Sequence, residues 1–316
     1  WFLQNLRNRI KLPVVIDHGK WCFAEWANRV NRCQRVSTVR NRVDGKFESD
    51  GSAADCAGSV RCVRSRECGV FVAASSRCFE DMGLAEACQQ VSDLGYDKIE
   101  IWMDEKTEHL KPSFVAASPE RFFTLYREWT RLTPVAICME NDVSASEFDA
   151  MCRLAKMMKI TQITIPAAVL GTPFNEEIDR LRSRLAAANF SGIRVSLKTK
   201  AGYLTEDPQT AVELCQAVPG LGLTLDPSYY MTGRYANQSH DQVYPYVYHT
   251  HLRDTSPTEI QVSVGLGEVD YNRIIGQLRR FNYTRALSVE ILPSLLNGQD
   301  RSLEMRKIRM LLETLL

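Results

Sequence analysis

The chain has 316 residues, 45% of them apolar, with 39 Lys+Arg against 38 Asp+Glu and ten cysteines. This length and composition exclude collagen-like, low-complexity and wholly disordered chains, and suit one large α/β domain with a substantial core. No apolar run approaches the roughly 18 residues of a membrane span, and no secretory signal pattern opens the chain, so we read a cytoplasmic protein with reduced thiols.

Charge is unevenly spread. Residues 1–70 carry 13 Lys+Arg against 7 Asp+Glu, leaving 26 against 31 in the other 246. Residues 29–42 are arginine-rich without a sustained apolar period, and residues 43–60 are rich in Gly, Ser, Asp and Ala. Cys56, Cys62 and Cys68 recur every six residues, which is not a zinc-ligand spacing. A basic arm for nucleic acid or another acidic surface is one reading of this segment. A transit peptide is another, opposed by Asp17, Glu25, Asp44, Glu48 and Asp50. The reading we favour for residues 1–69 is a poorly ordered basic N-terminal extension or a mis-assigned start.

From residue 70 onward the pattern becomes regular. Strands are expected over 70–75, 98–103, 135–140, 162–166, 193–198, 221–226, 247–252 and 286–291. Helices are expected over 84–94, 119–131, 144–158, 176–188, 207–217, 241–245, 271–281 and 301–316, the sixth of them short. Strands separated by helices pair in parallel, and eight such units over residues 70–316 match a (β/α)8 barrel. A doubly wound open sheet is the competitor, but no Gly-x-Gly-x-x-Gly follows the first strand.

Alternation along the strands sorts the side chains by face. Ile193, Val195 and Leu197 oppose Arg194, Ser196 and Lys198; Leu221, Leu223 and Leu225 oppose Thr224 and Asp226. Leu287, Val289 and Ile291 oppose Ala286, Ser288 and Glu290, and Lys98, Glu100 and Trp102 alternate with Ile99 and Ile101. Barrel strands bury their outward apolar face under helices, so the polar sets point inward. Each set ends in a polar group at the strand C-terminus, the face on which barrel enzymes build their sites. Glu100, Lys198, Asp226, His251 and Glu290 should therefore converge, with His249 one layer deeper.

These runs resemble a known family. Ser76-Arg77-Cys78-Phe79, followed by Leu94-Gly95-Tyr96-Asp97-Lys98-Ile99-Glu100-Ile101-Trp102, is similar to the opening of the sugar phosphate isomerase/epimerase family. That family has the xylose isomerase-like TIM barrel, shared with endonuclease IV. Gly222-Leu223-Thr224-Leu225-Asp226-Pro227, His249-Thr250-His251-Leu252-Arg253-Asp254, Gly265-Leu266-Gly267-Glu268-Val269-Asp270-Tyr271 and Ser288-Val289-Glu290 resemble its sixth to eighth strands. The resemblance spans residues 70–316. It implies a divalent metal (Mn, Mg, Co or Zn) held by four strand-end ligands, three of which map onto Asp226, His251 and Glu290. It also implies proton movement alpha to a carbonyl on a small sugar or polyol, with Glu290 as one catalytic carboxylate.

The chain departs from that pattern at three positions. Lys198 stands where a fifth-strand Glu is implied, Lys200 where a His follows it, and Tyr229 where a His follows the sixth-strand Asp. Three readings stay open. The metal is kept, with Lys198 as an acid/base group; or it is lost, with Lys198 as a base or imine former in a dehydratase- or aldolase-like lyase; or the barrel binds a sugar without chemistry. Catalysis is assigned to Glu290 and Lys198, and substrate contact to Glu100, Trp102, Lys200, Tyr229, His249 and Arg253, the last as a holder of phosphate or carboxylate. The partner is a small sugar or polyol. The acidic barrel speaks against nucleic acid, no membrane is implied, and a homo-oligomer is compatible with the sequence.

Overall fold

The computed structural model describes residues 69–236 and 238–316. The expectation for the N-terminal extension lies outside these residues, apart from Gly69.

Eight parallel strands close a barrel in sequence order, the last pairing with the first. They are β1 (Phe71–Ser75), β2 (Lys98–Met103), β3 (Thr133–Met139), β4 (Gln162–Pro166), β5 (Arg194–Lys198), β6 (Gly222–Leu225), β7 (Val247–Leu252) and β8 (Ala286–Val289). Outside them lie α1 (Leu84–Asp93), α2 (Pro112–Ala117), α3 (Pro119–Trp129), α4 (Ala145–Met158), α5 (Phe174–Phe190), α6 (Pro208–Ala217), α7 (Ser228–Met231), α8 (Tyr271–Arg280) and α9 (Arg301–Leu315). None of the described helices is long and apolar enough to cross a membrane.

Local chemistry starts the helices. Ser144 and Glu147 form a reciprocal capping box on α4, and Asp207, Asp270 and Asp300 accept the first backbone N–H groups of α6, α8 and α9. Pro112 and Pro119 open α2 and α3 at a position that needs no N–H donor. The six-residue α2 is absent from the expected helices, because so short an element shows no readable period. Between β6 and β7 the expected short helix is a 3-10 turn, Asp241–Tyr246, with Pro245 inside it.

The two faces of the strands divide as alternation requires. Ile99, Ile101, Val195, Leu197, Leu223, Leu225, Leu287 and Val289 are fully buried in the apolar core. The interior carries polar side chains that satisfy one another. Gln162 Nε2 donates to Ser196 Oγ at 2.5 Å, and the Thr224 hydroxyl lies 2.6 Å from Ser196 Oγ and 2.7 Å from Thr164 Oγ1. This hydrogen-bonded plug pairs the hydroxyls of Thr164, Ser196 and Thr224, whereas Ser288 Oγ and Gln162 Oε1 are buried without a partner among the described residues. Above it sits the candidate site.

Candidate active site at the strand C-termini

The key side chains leave the sheet just as its ladders end. Asp226 follows β6, and its backbone N–H donates to Thr199 Oγ1 at 2.8 Å. Glu290 follows β8, and its N–H donates to the Leu252 carbonyl at 3.0 Å. Glu140 follows β3 in the same way, donating to the Met103 carbonyl at 2.9 Å. Each carboxylate is thus fixed by its own backbone at the rim, while Lys198, His251 and Arg253 come from the ends of β5 and β7.

Glu290 is the hub. Lys198 Nζ donates to both its oxygens, at 2.6 and 2.9 Å, and Arg253 Nη2 donates to Oε2 at 2.8 Å. His251 Nδ1 lies 3.4 Å from Oε2, and Arg77 Nη1 lies 3.6 Å from Oε1. Arg253 Nη2 also donates to Asp226 Oδ2, so one guanidinium nitrogen bridges two carboxylates. The other Asp226 oxygen accepts from the Ser228 N–H (3.1 Å) and hydroxyl. Glu290, Asp226 and the Arg253 side chain are inaccessible to solvent, and Lys198 is 3% exposed.

Beside this hub Glu140 gathers a second set. Lys200 Nζ pairs with its Oε1, while Arg77 Nη1 (3.0 Å) and Trp102 Nε1 (3.2 Å) reach its Oε2. Below the hub, Glu100 accepts from Ser75 Oγ at 2.7 Å on one oxygen, and its other oxygen meets His251 Nε2 at 2.8 Å and His249 Nε2.

The charge states follow from these contacts. Burial alone would raise the Glu290 carboxyl, but His251, Lys198 and Arg77 hold it well below the usual carboxylate range. Burial alone would depress Lys198, but Glu290 outweighs it and keeps the amine an ammonium. Burial is likewise overridden at Glu140 by Arg77, Lys198 and Lys200, and at Glu100 by the two imidazoles, so both stay ionised. His251 opposes its own burial with Glu100 and Glu290 at hand and is raised to about 9, whereas burial keeps His249 below its ordinary value. Lys198 thus faces Glu290 as an ammonium donor, and its reading as a base or imine former requires the amine to leave that pair.

The five residues expected to converge do so, Glu100 in a lower tier. Several expected substrate contacts are instead internal. Glu100 and His249 are sealed beneath His251 and brace it. The Trp102 ring is 1% exposed and covered by the Arg77 guanidinium, 5.0 Å from its centroid, so it offers no face to a sugar. Arg253 holds the protein's own carboxylates, with its Cζ 5.7 Å from the Tyr229 ring. Lys200 and Tyr229 stay partly exposed at the mouth. Asp254 is a loop holder: it accepts from Gly265 N (2.7 Å) and Gly267 N (3.1 Å), and a Cβ at Gly267 would fall 2.1 Å from its Oδ1.

Sequence reasoning missed Arg77 and Glu140. Glu140 was legible, since it ends the third expected strand, much as Glu290 stands one residue before the end of the eighth. Arg77 gave no such signal, because it lies in a 3-10 turn, Ser76–Phe79, beyond β1.

A cavity of about 490 Å3 opens beside the hub, bordered by Glu140, Asp142, Pro166, Ala168, Arg180 and Tyr203. That is a size typical of small-ligand sites. Between this cavity and Lys198 stands a constriction lined by Glu140, Pro166, Lys200 and Tyr203, too narrow for a water molecule.

A closed parallel barrel with its polar cluster at the strand C-termini defines a TIM-barrel protein. The sequence profile of the xylose isomerase-like TIM barrel family matches residues 88–309, and the chain belongs to that family. Solved structures agree in fold. A xylose isomerase-like TIM barrel protein from Mycobacterium smegmatis in complex with magnesium is 19% identical, with a TM-score of 0.63 over 78% of this chain and 98% of that one. The probable 3-DHS dehydratase AsbF of Bacillus anthracis is 18% identical (TM-score 0.59, 77% and 98% covered). A D-allulose 3-epimerase from Methylomonas sp. is 12% identical (TM-score 0.60, 78% and 98%). No curated protein sequence matches the chain.

The family often holds a divalent metal, and ligand-capable atoms of Asp226, His251 and Glu290 do lie within 4.8 Å of one another. The full donor set does not fit one. The position that should complete the set is an ammonium bonded to both Glu290 oxygens, and Arg253 already bridges the two carboxylates. A dication here would stand against the Lys198 ammonium and the Arg253 guanidinium, both already bonded to the carboxylates that would hold it.

Proposed function

We propose that the barrel binds a small polyhydroxylated carbonyl compound, a keto sugar or polyol derivative, at the strand C-termini and moves a proton alpha to its carbonyl. This is isomerase- or epimerase-type chemistry, in a cytoplasmic protein. The carrying observation is the Lys198–Glu290 pair. An ammonium has three N–H donors, and the two hydrogen bonds of Lys198 both go to Glu290. The third donor has no hydrogen-bond partner among the described residues, and it meets a substrate carbonyl oxygen once the constriction at Glu140, Lys200 and Tyr203 widens.

The chemistry then follows from exchange of partners. As Lys198 turns to the substrate oxygen it polarises the carbonyl and stabilises the oxyanion that forms on enolisation. The same movement releases Glu290, whose basicity rises as the ammonium leaves, and Glu290 accepts the alpha proton. Arg253 and His251 hold the freed carboxylate in place. The epimerase and dehydratase among the structural neighbours are consistent with carbonyl chemistry at such a mouth.

A second reading, sugar binding without turnover, is favoured by one observation: Glu290 is fully buried with both oxygens engaged. Deuterium exchange separates the two. Incubation with a panel of ketoses in heavy water should place deuterium at the carbon next to the carbonyl of one member, by NMR, and Lys198→Met should abolish this while retaining binding. Ligand-induced thermal stabilisation with no exchange in the wild type would leave only the binding reading.

A further inference from the structure

We infer that Lys198, assisted by Arg253, occupies as a fixed part of the chain the place of a divalent cation among Asp226, His251 and Glu290. This replacement holds whichever substrate the barrel takes.

Geometry comes first. Three ligand-capable residues from the ends of β6, β7 and β8 keep their donor atoms within 4.8 Å of one another. Such a set normally needs a positive centre, because two carboxylates cannot share a solvent-free pocket uncompensated. Here the compensation is internal. Lys198 grips both oxygens of Glu290, and one Arg253 nitrogen is shared between Asp226 and Glu290. At the centre two anions meet two cations, and the flanking Arg77 and His251 stand against Glu140 and Glu100.

The departures from the family motif then read as one coordinated change. Lys198, in place of a carboxylate, neutralises Glu290. Tyr229, in place of an imidazole, lies under the Arg253 guanidinium with its ring centroid 5.7 Å from Cζ. Lys200, in place of the next imidazole, pairs with Glu140. Each of the three residues thus meets a member of the cluster, Glu290, Arg253 or Glu140. Charge reversal at the first, Lys198→Glu, should undo the replacement. Replacing the ammonium by a carboxylate beside Asp226 and Glu290 makes the pocket two charges more negative, which is the charge a dication carries.

The test is Mn2+ binding by the full chain, read from loss of the free-ion EPR signal and by elemental analysis after exchange through chelator-treated buffer. The wild type is expected to leave the signal undiminished and to unfold at the same temperature with or without Mn2+. Lys198→Glu is expected to take up one ion per chain, at least about tenfold more tightly than wild type, a change of about 1.4 kcal/mol. Stoichiometric Mn2+ in the wild type, or its thermal stabilisation by the ion, overturns the inference; so does a folded Lys198→Glu protein with no gain. Should that variant fail to fold, Lys198→Gln is expected to gain measurable binding by loss of the ammonium alone. A folded Lys198→Gln protein without it overturns the inference equally.

Discussion

Glu100 is fully buried against His249 and His251, and it helps set the state of the imidazole that contacts Glu290. Its carboxylate, with that of Glu290, raises His251 to about 9 against an ordinary 6.5, despite burial that acts the other way. A folded-state value above the unfolded one means that protonated His251 stabilises the native protein. The contribution is fully present below pH 6.5 and is lost as pH rises through about 9. Denaturant unfolding of wild type and His251→Gln across this window should show the stability gap between them shrink on the alkaline side. A gap that stays constant with pH would mean that the imidazole is neutral throughout.

At the scale of elements, the strand ends and helix caps do different work. The ends of β3, β6 and β8 deliver Glu140, Asp226 and Glu290 at the first residue past the ladder, where the chain is still held by a backbone hydrogen bond but the side chain is free of the sheet. The caps hold the outer ring of helices in phase with those ends. Ser144 and Glu147 satisfy donors at the start of α4, which backs β3 and β4 with Phe148, Met151, Leu154 and Ala155. Ser144→Ala should cost about 1 kcal/mol of unfolding free energy, measured by urea titration, with no change in ligand binding at the barrel mouth. A loss within error would show that Glu147 and water alone satisfy that helix start. These elements were legible from the sequence because alternation and capping are local signals. The exceptions, α2 and the 3-10 turn carrying Arg77, are too short to show a period.

The whole molecule is closed by the β1–β8 seam, and Cys78 lies on it. Its Sγ donates to the Val289 carbonyl at 3.4 Å and accepts from Ile291 N–H at 3.2 Å, so the thiol stitches the first and last βα units together. Burial pushes this thiol up to about 12. Cys88, Cys138, Cys152 and Cys215 are free and buried as well. Alkylation of the native protein at mildly alkaline pH should leave the peptides containing these five unlabelled, and labelling by mass spectrometry should appear only at the global unfolding transition. Early labelling of Cys78 alone would show that the barrel opens at this seam below that transition.

The sequence by itself determined the eightfold alternation, the inward polar sets and the strand ends on which the site is built, because period and strand position are properties of neighbouring residues. It also marked Lys198 as the odd residue among carboxylates. Only the tertiary structure decided what those charges do to one another. That Arg253 turns inward to bridge Asp226 and Glu290, that Arg77 covers Trp102 and reaches Glu140, and that Glu100 is held by two imidazoles are contacts between groups 25 to 151 residues apart. Electrostatic energy depends on the distances and the solvent around each pair, and barrel closure alone brings these groups into contact and excludes the water between them.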